Sequence, residues 1–248
     1  MLIDNSKIWD THSGETIYTL EHPSVVRCVA FPPDHGSLVA TGGVDKVFRI
    51  HDLSRAPTAN GNTKSDATNG ITIPSSTAIE IGAGVHKGII KSIVWTNNPN
   101  VLVTAADDKM IRWWDLRTNS VIQELPVSGE VGSCEFTNIK PRPGNIGDGY
   151  PVLCIAAGKT VYFYGGSDAR TLIKSVNLPY ETASVALHPG QRKFVVGGKQ
   201  DTWVKVYNYD TEQELGKLAG QVATCIANST HRRTQGAPRT NLEYQFLT

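Results

Sequence analysis

The sixteen residues from Val101 to Leu116, VLVTAADDKMIRWWDL, read as one β-hairpin, and no other stretch restricts the fold of this chain as much. The run from Val101 to Ala105 is apolar and β-branched, which suits a pleated, largely buried strand. Asp107-Asp108-Lys109 then supplies a turn, because short polar side chains bond their own backbone and tolerate unusual dihedrals. The run from Met110 to Asp115 alternates, so that Met110, Arg112 and Trp114 point one way while Ile111 and Trp113 point the other.

The hairpin recurs. Leu38 to Leu53 matches it with Thr41 for Thr104, Asp45 for Asp108 and His51-Asp52 for Trp114-Asp115. Phe194 to Tyr209 carries Asp201 in the turn and Tyr207 at the tryptophan position, while Val152 to Tyr164 keeps two strands with Gly158 in place of the turn aspartate. Lys7-Ile8-Trp9-Asp10 is the tail of one more copy. The tryptophan-position residues Trp9, His51, Trp114, Tyr164 and Tyr207 are separated by 42, 63, 50 and 43 residues. Two of these gaps match the period of about 40–45 residues of WD-type propeller repeats, and the other two match it plus an insertion. The expectation is an all-β WD40 β-propeller with four full repeats and two partial ones, and negligible helix.

In chain order, residues 1–20 supply the third and fourth strands of a blade. The next repeat opens at Glu21-His22-Pro23, and its fourth strand, near Thr77 to Ile81, is delayed by a Ser, Thr, Asn, Gly and Pro-rich insertion over residues 54–76. That composition buries little apolar surface and reads as a mobile loop. The central repeat, from His86 to Leu125, is uninterrupted. A fourth repeat starts near Val131, pauses at a second mobile insertion over 138–150 and resumes at Pro151; the fifth runs from Ala183 to Leu218. VATCIA, residues 222–227, reads as one further first strand. The propeller is thus assigned to 1–228 and a disordered tail to 229–248. Because strands within a blade alternate in direction, both insertions fall on one face, and the compact loops carrying His22, His86, Asp45 and Asp108 fall on the other.

Four residues of the central repeat, His86, Thr104, Asp108 and Trp114, admit two readings. As a triad, the hydroxyl would be the nucleophile, the histidine its base and the aspartate the orienting group. As scaffold, His86 bonds Asp108 while Thr104 bridges His86 to the indole N–H of Trp114, which satisfies each buried donor. His22, Thr41 and Asp45 stand at the matching positions one repeat earlier, which a scaffold produces and a single active site does not. The structural network is therefore His22, Thr41, Asp45, His86, Thr104, Asp108 and Trp114, and no catalytic, cofactor-binding or metal-binding residue is assigned. Arg49, Arg112 and Lys205 recur at one place in the third strand and read as solvated strand face.

A formal charge of +1 opposes a nucleic-acid footprint, which needs a concentrated basic face. Cys28, Cys134, Cys154 and Cys225 never form a C-x-x-C pair and read as small buried hydrophobes. Glycines Gly165-Gly166 lead to a strand rather than a helix, no histidine pair has metal-ligand spacing, and no secretory signal or apolar run of membrane length is found. The expectation is a soluble intracellular chain with no cofactor, no small-molecule substrate, no membrane and no direct nucleic-acid contact.

The segments KIWDTHSGETIYTL, VATGGVDKVFRIHDLSR, IKSIVWTNNPNVLVTAADDKMIRWWDL and SVALHPGQRKFVVGGKQDTWVKVYNYDTEQELGKLAG resemble the serine-threonine kinase receptor-associated, or Unr-interacting, protein family. The resemblance covers about residues 3–220. It implies a seven-bladed propeller without catalytic activity, acting as an adaptor in the cytoplasm, with the nucleus as second compartment. It also implies protein partners of two kinds: survival-of-motor-neuron (Gemin-type) complexes that load Sm proteins onto spliceosomal RNAs, and receptor-kinase signalling proteins. The WD-repeat subunit of the third translation initiation factor is similar too and supplies the alternative. Against the family pattern, the first blade and half the second are missing ahead of Met1, and the resemblance stops after Gly220. The expectation is an incomplete ring with apolar edges, as from a frameshifted or misspliced gene model.

Overall fold

The structure, a computed structural model, describes residues 4–33, 36–55, 70–137, 143–200 and 203–219. Nineteen strands follow one another in these segments. They are β1 (Asp4–Trp9), β2 (Thr16–His22), β3 (Val26–Ala30), β4 (Leu38–Gly43), β5 (Phe48–Asp52), β6 (Ile71–Ile73) and β7 (Ile79–Ile81). The central hairpin's repeat gives β8 (Ile90–Trp95), β9 (Val101–Ala106), β10 (Met110–Asp115) and β11 (Ser120–Pro126). After it come β12 (Val131–Phe136), β13 (Leu153–Ala157), β14 (Thr160–Gly165), β15 (Thr171–Asn177), β16 (Thr182–His188), β17 (Lys193–Gly198), β18 (Trp203–Asn208) and β19 (Glu214–Ala219).

Four sheets are four-stranded antiparallel meanders: β3-β4-β5-β7, β8-β9-β10-β11, β12-β13-β14-β15 and β16-β17-β18-β19. The first sheet, β1-β2-β6, has three strands. Among the described residues the five sheets follow one another as blades of a WD40-like propeller without closing a ring.

Alternation along each strand gives every blade two apolar faces, so the core lies between blades rather than within them. Trp113 and Trp114, adjacent on β10, point to opposite sides: the indole of Trp114 meets Phe48 of the preceding blade at 5.0 Å between centroids, and that of Trp113 meets Tyr164 of the following blade at 5.6 Å. Phe163 continues the series by packing edge-on to Phe194.

The innermost strands carry a further tie. Each has an irregularity after its first residue, and in β3, β8 and β12 the residue behind it bonds the next blade's inner strand. Cys28 Sγ donates to the Ile90 carbonyl, Ser92 Oγ exchanges bonds with the backbone of Cys134, and Ser133 Oγ accepts from the Val185 N–H. A small polar side chain at one repeat position thus satisfies backbone groups across each joint.

The first blade has no inner strands among the described residues, and its neighbour shows the effect. Val29 and Phe31 are 43% and 48% exposed, whereas their counterparts Ile93 and Trp95, Cys134 and Phe136, Val185 and Leu187 are all buried. A cavity of about 310 Å³ lies between Asn5 and Ser6 of β1 and the stretch Val25–Val29. Trp9, at the tryptophan position, is 54% exposed, while His51, Trp114, Tyr164 and Tyr207 at the same position are buried.

Two of the sequence expectations need correction here. The stretch 54–76, expected as one mobile loop, contains structure: residues 56–69 lie outside the described set, but Leu53–Arg55 and Ser75–Thr77 form 3-10 turns, and between them runs β6. β6 pairs in parallel with β2, setting Ile71, Thr72 and Ile73 against Tyr18, Thr19 and Leu20. Ile73 joins Leu20, Val39 and Leu53 in a small buried cluster, which supplies the apolar gain that the composition concealed. Gly70 permits the approach: its φ is +59°, and a Cβ there would stand 2.4 Å from the Thr16 carbonyl oxygen. The second insertion, 138–150, is likewise not uniform. Its residues 138–142 lie outside the described set, while 143–150 form turns that bury Ile146 with Val152, Cys154 and Leu187. VATCIA, Asp201 and the tail 229–248 also lie outside the described residues.

Candidate functional site

The polar residues singled out from the sequence converge on the compact-loop face of the second and third blades, with one unexpected member in each. In the third blade, the Trp114 indole N–H donates to Thr104 Oγ1 at 2.7 Å, and Thr104 Oγ1 lies 3.0 Å from His86 Nε2. Thr104 and Trp114 face each other because their strands, β9 and β10, form one hairpin.

The expected bond from His86 to Asp108 is absent, and this is a correction. His86 Nδ1 stands 3.9 Å from Asp108 Oδ2, and the Arg112 guanidinium occupies the link between them. Arg112 Nη1 donates to Asp108 Oδ2 at 2.8 Å and to His86 Nδ1 at 2.9 Å, and Nε donates to Glu124 Oε2 at 3.2 Å. A guanidinium has no acceptor, so His86 Nδ1 must be the acceptor and the neutral ring carries its proton on Nε2, donating to Thr104. Asp108 completes its shell with the backbone N–H groups of Lys87 and Met110.

This tautomer rules out the triad. The histidine's proton already points at the hydroxyl that it would have to deprotonate, and Thr104 is wholly buried. Burial first, then Arg112, lower the His86 pKa to about 4 against the opposing pull of Asp108. Burial pushes the Asp108 carboxyl up, but the Lys87 N–H and Arg112 more than offset it and the net shift is downward.

The second blade builds the same frame with a substitution. Arg49 Nη1 reaches Asp45 Oδ2 at 2.5 Å and its Nε reaches Glu80 Oε1 at 2.8 Å. Thr41 Oγ1 lies 3.2 Å from Nε2 of His51, which stands where Trp114 stands in the next blade. His22 is brought to the same place, its ring packed edge-on to His51 at 5.2 Å. Burial first, then His22 and Arg49, lower the His51 pKa to about 4.

Arg49 and Arg112 are therefore not solvated strand face. Both are buried, Arg112 at 5% exposure, and each is clamped between the turn aspartate four residues earlier and a glutamate directly across the next strand. The signal was present in the alternation, since Arg112 and Trp114 lie two apart and must share a face. Lys205, at the same position in the fifth blade, is half-buried with its ammonium 3.8 Å from the Tyr180 ring centroid. The fourth blade drops the frame: Gly158 replaces the aspartate and Tyr162 the arginine, and the Tyr162 hydroxyl accepts from the Ser128 N–H instead.

Sequence reasoning also passed over Glu135 on β12. It stands where the other inner strands place Ala30, Val94 and Ala186. Its Oε2 is buried with no hydrogen-bond partner, and burial raises its pKa from 4.5 to about 7. A carboxyl whose folded pKa is raised binds its proton more tightly in the native state, so its stabilisation is complete below pH ~4.5 and lost as pH rises to ~7. The loss amounts to up to about 3 kcal/mol. Glu135→Gln should flatten this part of the profile and give the higher melting temperature at pH 8; parallel melting scans at pH 5 and pH 8 decide it. His51 and His86 act in the opposite sense, because their lowered pKa values take stability away as pH falls from ~6.5 to ~4.

Cys134 and Cys154 are buried and Cys28 is half-buried; burial pushes all three thiols up, Cys134 to about 12. No group of three or more His, Cys, Asp or Glu among the described residues could hold a metal ion. No helix among them is long and apolar enough to cross a membrane.

Comparison with known proteins agrees with the repeat frame. The WD40 family model (WD domain, G-beta repeat) matches residues 14–52 and 84–115, which contain the first three strands of each of the two blades that carry the arginine clamp. The chain is similar to the serine-threonine kinase receptor-associated protein of Gallus gallus, 33% identical over 217 residues covering 87% of this chain and 52% of that protein. The protein of the same name from Dictyostelium discoideum is 31% identical over 84% of this chain and 60% of its own length, and that from Homo sapiens is 30% identical over 87% and 52%. The chain thus spans about half the length of the curated relatives it matches.

Proposed function

We propose that this chain, which matches the WD40 repeat model at residues 14–52 and 84–115 and is similar to the serine-threonine kinase receptor-associated proteins over about half of their length, is a non-enzymatic adaptor that docks protein partners on its compact-loop face. The homology supports a general interaction role. The finer assignment is to assembly of Sm ribonucleoproteins with the survival-of-motor-neuron complex, and hence to pre-mRNA splicing, with receptor-kinase signalling as a second setting. Such a role places the protein in the cytoplasm with access to the nucleus.

The observation that carries this reading is the 33% identity running through 217 residues, which extends well beyond the two segments that the repeat model matches. Repeat architecture alone would leave turns and connections free to differ. A tagged chain captured from cells should bring down Sm proteins and subunits of the survival-of-motor-neuron complex. Recovery of initiation-factor subunits in their place would move the assignment to the translation apparatus, and recovery of neither would remove both.

A further inference from the structure

At three joints between blades the outer half is built to one rule. The side of a blade that faces the next one sets two apolar residues of its third strand and one of its fourth in a triangle, and strand pairing fixes which. They are Phe48 and Ile50 with Ile81, Ile111 and Trp113 with Leu125, and Val161 and Phe163 with Val176. Onto each triangle the next blade lays the ring at its tryptophan position, so that Trp114, Tyr164 and Tyr207 each share one core with the triangle before them.

The chain carries ring and triangle once more, with the two apart. In the fifth blade Val204 and Val206 with Leu218 form the triangle, Val204 facing Leu218 across the strands, and Trp9 is the ring of the first blade. Leu218 is 55% exposed, where its counterparts Ile81 and Val176 are 3% and 1% exposed, and Trp9 is as open as Leu218. Their sizes match. Where Trp114 seats on the second blade, a Cβ on Gly82 would stand 2.7 Å from the indole, so a glycine there makes room for the ring. The fifth-blade triangle has small aliphatic corners and again a glycine: Gly216 faces Val206, and a Cβ on it would meet nothing within 4 Å. An indole fills such a notch where a smaller ring would leave a void.

Within one molecule ring and triangle do not meet, because the five sheets close no ring among the described residues. We propose that a second copy of this chain supplies the missing half: Trp9 of one copy seats on Val204, Val206 and Leu218 of the next, and the outer half of a blade joint is rebuilt between molecules. The contact is heterologous, so each copy keeps one half unused and the assembly grows head to tail until a ring closes. Only the third and fourth strands of the first blade take part, which makes the contact smaller than a standard stable interface and the association dependent on concentration. This goes beyond the adaptor reading and does not depend on it.

Sedimentation velocity of the full chain over about a hundredfold range of concentration tests the joint. The sedimentation coefficient of the parent should rise with concentration, and Trp9→Ala should weaken self-association about thirtyfold, as truncating a central aromatic anchor does. Leu218→Glu should weaken it as strongly. Both variants should keep the parent's melting temperature at a concentration where all three are monomeric, since both side chains are exposed. The two variants also complement each other: each alone stays monomeric, while their mixture should form a one-to-one dimer and nothing larger, one variant giving the intact tryptophan and the other the intact triangle. A parent that stays monomeric overturns the joint, and a lower melting temperature of Leu218→Glu in that case means that the triangle is covered from within its own chain. Self-association that survives Trp9→Ala but not Leu218→Glu means that triangles pair with each other, which overturns the joint as well. So does association indifferent to both substitutions, or a mixture that fails to dimerise.

Discussion

Replacing Arg112 with methionine is expected to lower stability by about 4 kcal/mol, because it leaves one partner of a buried ion pair without the other. For a chain of this length that corresponds to a fall of roughly 8–16 °C in melting temperature. Asp108 would keep the backbone N–H groups of Lys87 and Met110 but lose its charged donor, and His86 Nδ1 would lose the donor it accepts from. The variant also has a spectroscopic signature. Without the guanidinium the 3.9 Å gap between His86 and Asp108 can close, which needs the proton on Nδ1. Nitrogen-15 NMR of the imidazole should therefore show the tautomer switch from Nε2–H to Nδ1–H and the histidine titrate above 4. Asp108→Ala should cost less, because Arg112 keeps Glu124 and His86 as partners, and should show no such switch. An Arg112 variant that melts with the parent would show the clamp to be ornamental.

Trp113→Ala should cost about 4 kcal/mol, since a fully buried indole filling the joint between the third and fourth blades leaves a cavity among rigid strands. Trp113→Phe gives the more discriminating result. The Trp113 indole N–H has no hydrogen-bond partner, and leaving such a donor buried costs about 1–3 kcal/mol, so phenylalanine removes a liability together with the volume. The phenylalanine variant is expected to lose less than half of what alanine loses in urea titrations. Equal losses would mean that volume alone matters at this joint. Trp114, one residue on, gives the reverse contrast: its N–H is satisfied by Thr104, and there phenylalanine removes a buried hydrogen bond, leaving the hydroxyl with His86 alone.

The meander of each blade was legible because its signals are local and repeated. Val101 to Asp115 becomes β9 and β10 with the turn at Asp107 to Lys109, and the copies at Leu38, Val152 and Phe194 follow it. The site was half legible. Thr104, Trp114 and His86 meet as expected because position in the repeat dictates it, but the arginine entered a place that residue type had assigned to solvent. Parity along the strand outweighs residue type when a carboxylate stands four residues back and another across the sheet, as Asp108 and Glu124 do for Arg112. β6 was illegible for a different reason. Three residues, Ile-Thr-Ile, carry no usable periodicity, and their partner β2 lies some fifty residues away in a parallel register that no turn announces.

The parallel pairing of β6 with β2 bears on how such a chain can be inherited. By position in the sequence β6 belongs to the second repeat; by hydrogen bonding it belongs to the first sheet. A unit that lends a strand to its neighbour is no longer a module. Duplicating it alone would create a strand without a host, and exchanging it for another repeat would strip the outer edge from the sheet before it. The later blades keep all four of their strands to themselves and remain free to be copied, so the record of repeat duplication in this lineage should be sought in them.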